Sequence, residues 1–87
     1  MVRYILDGSK MVSREAAHDE LQRALCLPEY YGRNLDALWD CVSSMEAEIV
    51  LSGSAQMLDA LGLYGKKIVS VFEEAATRCP SLHFVQE

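Results

Sequence analysis

Apolar positions along the chain follow two rhythms. Short runs of β-forming residues at Val2 to Leu6, Ile49 to Leu51 and Leu82 to Val85 are each bounded by turn residues and read as strands. Between them, helical spacing takes over. Ala17, Leu21, Ala24 and Leu25 recur at i, i+4, i+7 and i+8 behind a capping Ser13 and a first-turn Glu15, and Pro28 marks the stop. Asn34 is a second cap, ahead of a stripe formed by Leu35, Leu38, Trp39 and Val42 and closed near Ser43-Ser44. Ser52-Gly53-Ser54 is a loop ready to cap a brief helix through Met57, Leu58 and Leu61 that ends at Gly62. Ile68, Val71, Phe72, Ala75 and Cys79 give a last amphipathic helix, stopped by Pro80.

The order is β-α-α-β-α-α-β. Helices, not tight turns, separate each pair of strands, which favours parallel pairing. The expected architecture is α/β: a small two-layer single domain over residues 1–87, with a three-stranded parallel sheet and about four helices.

Composition sharpens this picture. The 87 residues are 51% apolar and 24% charged, which suits one core and leaves no room for a second. Eight basic against thirteen acidic side chains give a net charge of −5, which argues against nucleic acid as a partner and favours a basic one. The longest unbroken apolar run, Ala24 to Leu27, is far below the roughly 18 residues of a membrane span. Asp7, Gly8, Ser9 and Lys10 interrupt the opening run before it reaches the length of a signal peptide, so a cytoplasmic location is expected. Cys26, Cys41 and Cys79 lack zinc-ligand spacing and are expected as reduced thiols, most of them packed as small apolar groups.

Tyr30 to Ser44 is the segment that packing alone explains least well. Asp36 and Asp40 stand four apart on one helical face and repel each other by about 0.2–0.5 kcal/mol. Asp36 is compensated by the helix dipole, but Asp40, toward the other end, is not. A solvated acidic face accounts for many such pairs. This one sits in unusual company: from Glu29 to Glu48 there are five acids, one base (Arg33) and three large aromatics, Tyr30, Tyr31 and Trp39. Aromatic anchors beside a charged patch suit a protein interface.

Enzymatic readings have less support. No phosphate-binding glycine loop or nucleophile elbow is present, and two carboxylates are few for a divalent cation. Cys41 beside Asp40, with a distant His18 or His83, is a weak nucleophile arrangement, and both histidines read as structural or surface residues. No catalysis, cofactor or metal is therefore expected.

The run Leu27 to Val42, LPEYYGRNLDALWDCV, closely resembles the signature of the barstar family, with looser similarity over nearly the whole chain. The resemblance implies a three-stranded parallel sheet with helices, and an intracellular inhibitor of a secreted microbial ribonuclease of the barnase type. By motif, Tyr30, Tyr31, Gly32, Asn34, Asp36, Trp39, Asp40, Ser43 and Ser44 would form the contact surface, joined by Glu74 from the last helix. Three features depart from the family's pattern: Arg33 sets a positive charge in the acidic loop, Ser44 and Met45 remove an aromatic contact, and no proline lies between Met45 and Ile49. An acidic module for a basic partner that is not a nuclease is the alternative reading.

Overall fold

The computed structural model describes residues 2–87. Three strands, β1 (Val2–Asp7), β2 (Ala47–Ser52) and β3 (Leu82–Gln86), alternate with four helices, α1 (Arg14–Ala24), α2 (Leu35–Val42), α3 (Ser54–Leu61) and α4 (Leu63–Arg78). A single 3-10 turn, Gly8–Lys10, follows β1, with the Asp7 carboxylate accepting from the Ser9 N–H at 3.0 Å. The sheet runs β1-β2-β3 and is parallel throughout, as the helical connections require.

Alternation along the strands sets the two layers. Tyr4, Ile49 and Phe84 form one row of the register, and Leu6 pairs with Leu51; these side chains meet the helices. Arg3, Ile5, His83 and Val85 point the other way and are exposed. Phe72 of α4 is fully buried and stacks on Phe84 with centroids 5.0 Å apart, which fastens the last helix to the edge strand. Burying one such side chain contributes about 1.5–3 kcal/mol.

Helix ends differ from the sequence expectation in three places. α1 stops at Ala24, ahead of the point that Pro28 dictates, because Cys26 takes a left-handed conformation (φ +54°) and the Leu27 N–H returns to Gln22 O at 3.0 Å. α3 has no side-chain cap. Gly53 enters it at φ +70°, and Ser54 instead donates its N–H and hydroxyl to Glu87 O, tying the helix start to the end of β3. α4 begins at Leu63, well before Ile68. Gly62 alone separates it from α3, at φ +55° and ψ −126°, a conformation that side chains exclude.

Candidate functional site

The second helix is positioned from both ends. At its start the Asn34 side chain accepts from the Ala37 N–H at 2.7 Å, as the capping pattern predicts. At its finish the Cys79 thiol donates to Ser43 O at 2.9 Å, joining the end of α4 to the end of α2. Leu38 and Val42 are fully buried, and Trp39 is half-buried against the core. With that face fixed inward, Asp36 and Asp40 project outward together. Both are exposed, and neither carboxylate forms an ion pair or accepts a hydrogen bond among the described residues.

Their neighbours are the groups expected from the motif. Tyr30 is 89% exposed, while Gly32, Asn34 and Ser44 are exposed and Ser43 is half-buried. A groove of about 430 Å³ runs between the loop and the C-terminal end of α2, with Tyr30, Asp40 and Ser44 on its walls. Glu74, exposed on α4, reaches Arg78 at 3.8 Å; Arg78 in turn lies 5.7 Å from the Trp39 ring, so the acid sits beside α2. An exposed pair at that distance leaves Glu74 largely free to meet another cation.

Tyr31 occupies a different environment. It is 5% exposed, and its hydroxyl lies 2.8 Å from His18 Nδ1, so it supports the loop from beneath. His18 Nε2 is 2.7 Å from the Tyr64 hydroxyl. One ring nitrogen donates to a phenol oxygen and the other accepts from a phenol O–H, which satisfies a neutral imidazole completely. Burial, with the Arg33 charge in second place, holds His18 below its ordinary pKa, and burial pushes the Tyr31 phenol up.

Arg33 does not add a free positive charge to the acidic loop. Its guanidinium folds back on α1, donating to Asp19 Oδ1 at 2.6 Å, Gln22 Oε1 at 3.0 Å and Glu15 O at 3.1 Å. These bonds hold the residue at φ +56°, where a non-glycine residue costs about 1–2 kcal/mol. The chain is thereby turned into the Asn34 cap.

His18 is thus structural, one of the two readings that the sequence leaves open, whereas the burial of Glu20 was not expected. Glu20 is 4% exposed, accepting from the Asp7 N–H at 2.9 Å and from Arg23 at both oxygens. It borders the apolar stripe, three residues after Ala17 and four before Ala24, and these bonds let a carboxylate occupy that position. Two of the three cysteines pack as expected, Cys41 and Cys79 being half-buried against the core, whereas Cys26 is exposed, because its left-handed backbone lies outside the core.

Chemically, the surface can bind better than it can react. Burial, then the adjacent Asp40 charge, raises the Cys41 pKa and so disfavours a thiolate nucleophile. Both nitrogens of His18 are committed to tyrosines. Among the described residues, no three His, Cys, Asp or Glu side chains converge on a metal position, and no helix is long and apolar enough to cross a membrane.

Comparison with known proteins agrees with this geometry. Residues 1–85 match the family model described as "Barstar (barnase inhibitor)". A Bacillus subtilis (strain 168) protein named "Putative ribonuclease inhibitor YrdF" is 38% identical over 78 residues, spanning 86% of each chain. The parallel three-stranded sheet, the capped acidic helix and both of these matches coincide: the chain belongs to the barstar family.

Proposed function

We propose that the protein inhibits a basic ribonuclease of the barnase type inside the cell, by seating α2 and the loop before it in the nuclease active site. The observation that carries this reading is the pair of unneutralised carboxylates, Asp36 and Asp40, on the exposed face of a helix anchored at both ends. A ribonuclease must gather Lys, Arg and His to hold phosphates, and rigid carboxylates offer those groups the same charge. Tyr30 supplies aromatic area beside Asp40, Glu74 extends the acidic surface, and Gly32, Asn34, Trp39, Ser43 and Ser44 complete it. Tyr31 contributes from below, by holding the loop.

A net charge of −5 adds long-range attraction toward a basic enzyme, so association is steered and salt-dependent. Docked contacts exclude ions, so raising salt slows association more than it speeds dissociation. The family match and the name of the relative support a ribonuclease as the partner.

The test is titration of purified barnase-type ribonucleases with the chain, following RNA cleavage, with stopped-flow association measured over a range of ionic strength. Stoichiometric loss of cleavage and association that slows with salt are expected. If no nuclease is inhibited and affinity capture returns only basic proteins without nuclease activity, the alternative reading, an acidic module for such a partner, takes its place.

A further inference from the structure

We propose that the cleft between α1 and α2 is a charge-reading pocket in which Arg14 receives an acidic side chain of the partner, an inference that rests on the ribonuclease-inhibitor reading above. The cleft, about 570 Å³, is lined by Arg14, Glu15 and His18 on one side and by Arg33 and Asp36 near the start of α2. It therefore opens beside one of the two aspartates of the proposed contact face.

Arg14 differs from every other cation near that face. Arg33 is paired with Asp19, and Arg78 is shared between Glu74 and Trp39. The Arg14 side chain has no carboxylate partner and no hydrogen-bond acceptor among the described residues. Glu15 cannot supply one easily, since adjacent helical residues do not face each other. The guanidinium is nevertheless held in place. It lies 4.4 Å from the centroid of the Tyr64 ring, whose hydroxyl is fixed by His18, which in turn is fixed by Tyr31.

A continuous chain of contacts thus runs from the loop that carries Tyr30 to a surface cation with open donors. Ordering a long side chain costs conformational entropy on binding, and here the stack on Tyr64 has already ordered it. A planar guanidinium with free N–H groups matches a carboxylate in a forked geometry. Asp36, across the same cleft, takes a cation. The pocket suits a partner surface with an acid next to a base, the acid toward Arg14 and the base toward Asp36, and leaves Arg14 unmatched by a surface that carries no acid there, which selects among ribonucleases.

Opposite signs separate this proposal from general electrostatics. If Arg14 only repels a basic enzyme, removing it tightens binding. If it receives a carboxylate, removing it weakens binding. Barnase-type ribonucleases are titrated with the unmodified chain, Arg14→Ala and Arg14→Glu, with thermal melting followed in parallel. Against a nuclease that the unmodified chain inhibits, Arg14→Ala is expected to weaken inhibition about tenfold or more, the scale of one hydrogen bond to a charged group, with a melting midpoint that moves by no more than about 4–8 °C, the scale of the lost stack on Tyr64. Arg14→Glu is expected to lose more, and to recover when an acidic residue at the rim of the nuclease is replaced by lysine. Unchanged or tighter inhibition by Arg14→Ala, or no rim replacement that rescues Arg14→Glu, overturns the proposal while leaving the inhibitor reading intact. No inhibition by the unmodified chain overturns both.

Discussion

His18 Nδ1 and the Tyr31 hydroxyl lie 2.8 Å apart in the interior, joining the middle of α1 to the loop that leads into α2. This bond adds a polar tie to the burial of the Tyr31 ring in the core, so the loop is held from beneath while Tyr30 beside it is almost wholly exposed. Removing the phenol leaves a buried ring nitrogen without a partner. Tyr31→Phe is expected to destabilise the fold by about 1–3 kcal/mol, read as a shift in the urea midpoint with an unchanged slope. A loss below a few tenths of a kcal/mol would show that the bond is not structural.

The same histidine sets a pH dependence. Its folded pKa is lowered from 6.5 by burial first, then by Arg33, against an opposing pull from Asp19. The unfolded chain therefore binds the proton first as pH falls. Stability from this group is complete above about pH 6.5 and drains away as pH drops through the folded value. Urea midpoints should decline from pH 7 toward pH 5, and NMR titration of His18 should show a midpoint below 6.5. Asp7, lowered by its bonds to Ser9, acts in a separate window near and below 3.8. A flat profile above pH 5 would contradict the neutral assignment.

Two close backbone contacts give a steric prediction. A Cβ on Gly8 would lie 2.4 Å from Gly53 O and 2.8 Å from Ser52 O, all main-chain atoms that cannot step aside. Gly8→Ala is expected to cost about 1–3 kcal/mol or more and to lower the melting midpoint by several degrees. An unaffected midpoint would mean that Gly8 and the turn after β2 lie farther apart than these contacts require.

Cys26 offers the converse. At φ +54° it pays a steric cost that glycine does not, offset in part by the greater freedom of glycine in the unfolded chain. Cys26→Gly should raise stability by up to about 1 kcal/mol, and Cys26→Val should lower it. Thermal melting of the two variants decides the matter. The reverse order would contradict the left-handed helix stop.

These cases mark how far the sequence is legible. Ser13 and Asn34 were readable as caps because a cap is local: each side chain accepts from an N–H three residues on, at 3.1 and 2.7 Å. Strand order and parallel pairing followed from the helical connections, and the acidic face of α2 followed from the spacing of Asp36 and Asp40 against Leu38 and Val42. The backbone turns at Cys26 and Arg33 were not readable, because neither is glycine and the bonds that hold Arg33 come from α1, 11 to 18 residues away in sequence. The burial of Glu20 and Tyr31 was equally hidden, while His18 was legible as a structural residue but not by its partners. Glu20 stands at the edge of the α1 stripe and Tyr31 in a loop, and the partners that let each turn inward, the Asp7 N–H and the His18 ring, are 13 residues away in sequence.

Asp40→Ala tests the central idea most directly when inhibition and stability are measured on the same variant. An exposed acid that repels Asp36 and opposes the helix dipole contributes nothing to the isolated fold, so the melting midpoint should stay level or rise by about 1–4 °C. Inhibition of the target ribonuclease should fall by a factor of about 100 or more, since a buried cation in the enzyme is left unpaired. Full inhibition by Asp40→Ala, with the fold intact, would contradict the assignment of this carboxylate as the anchor of the complex.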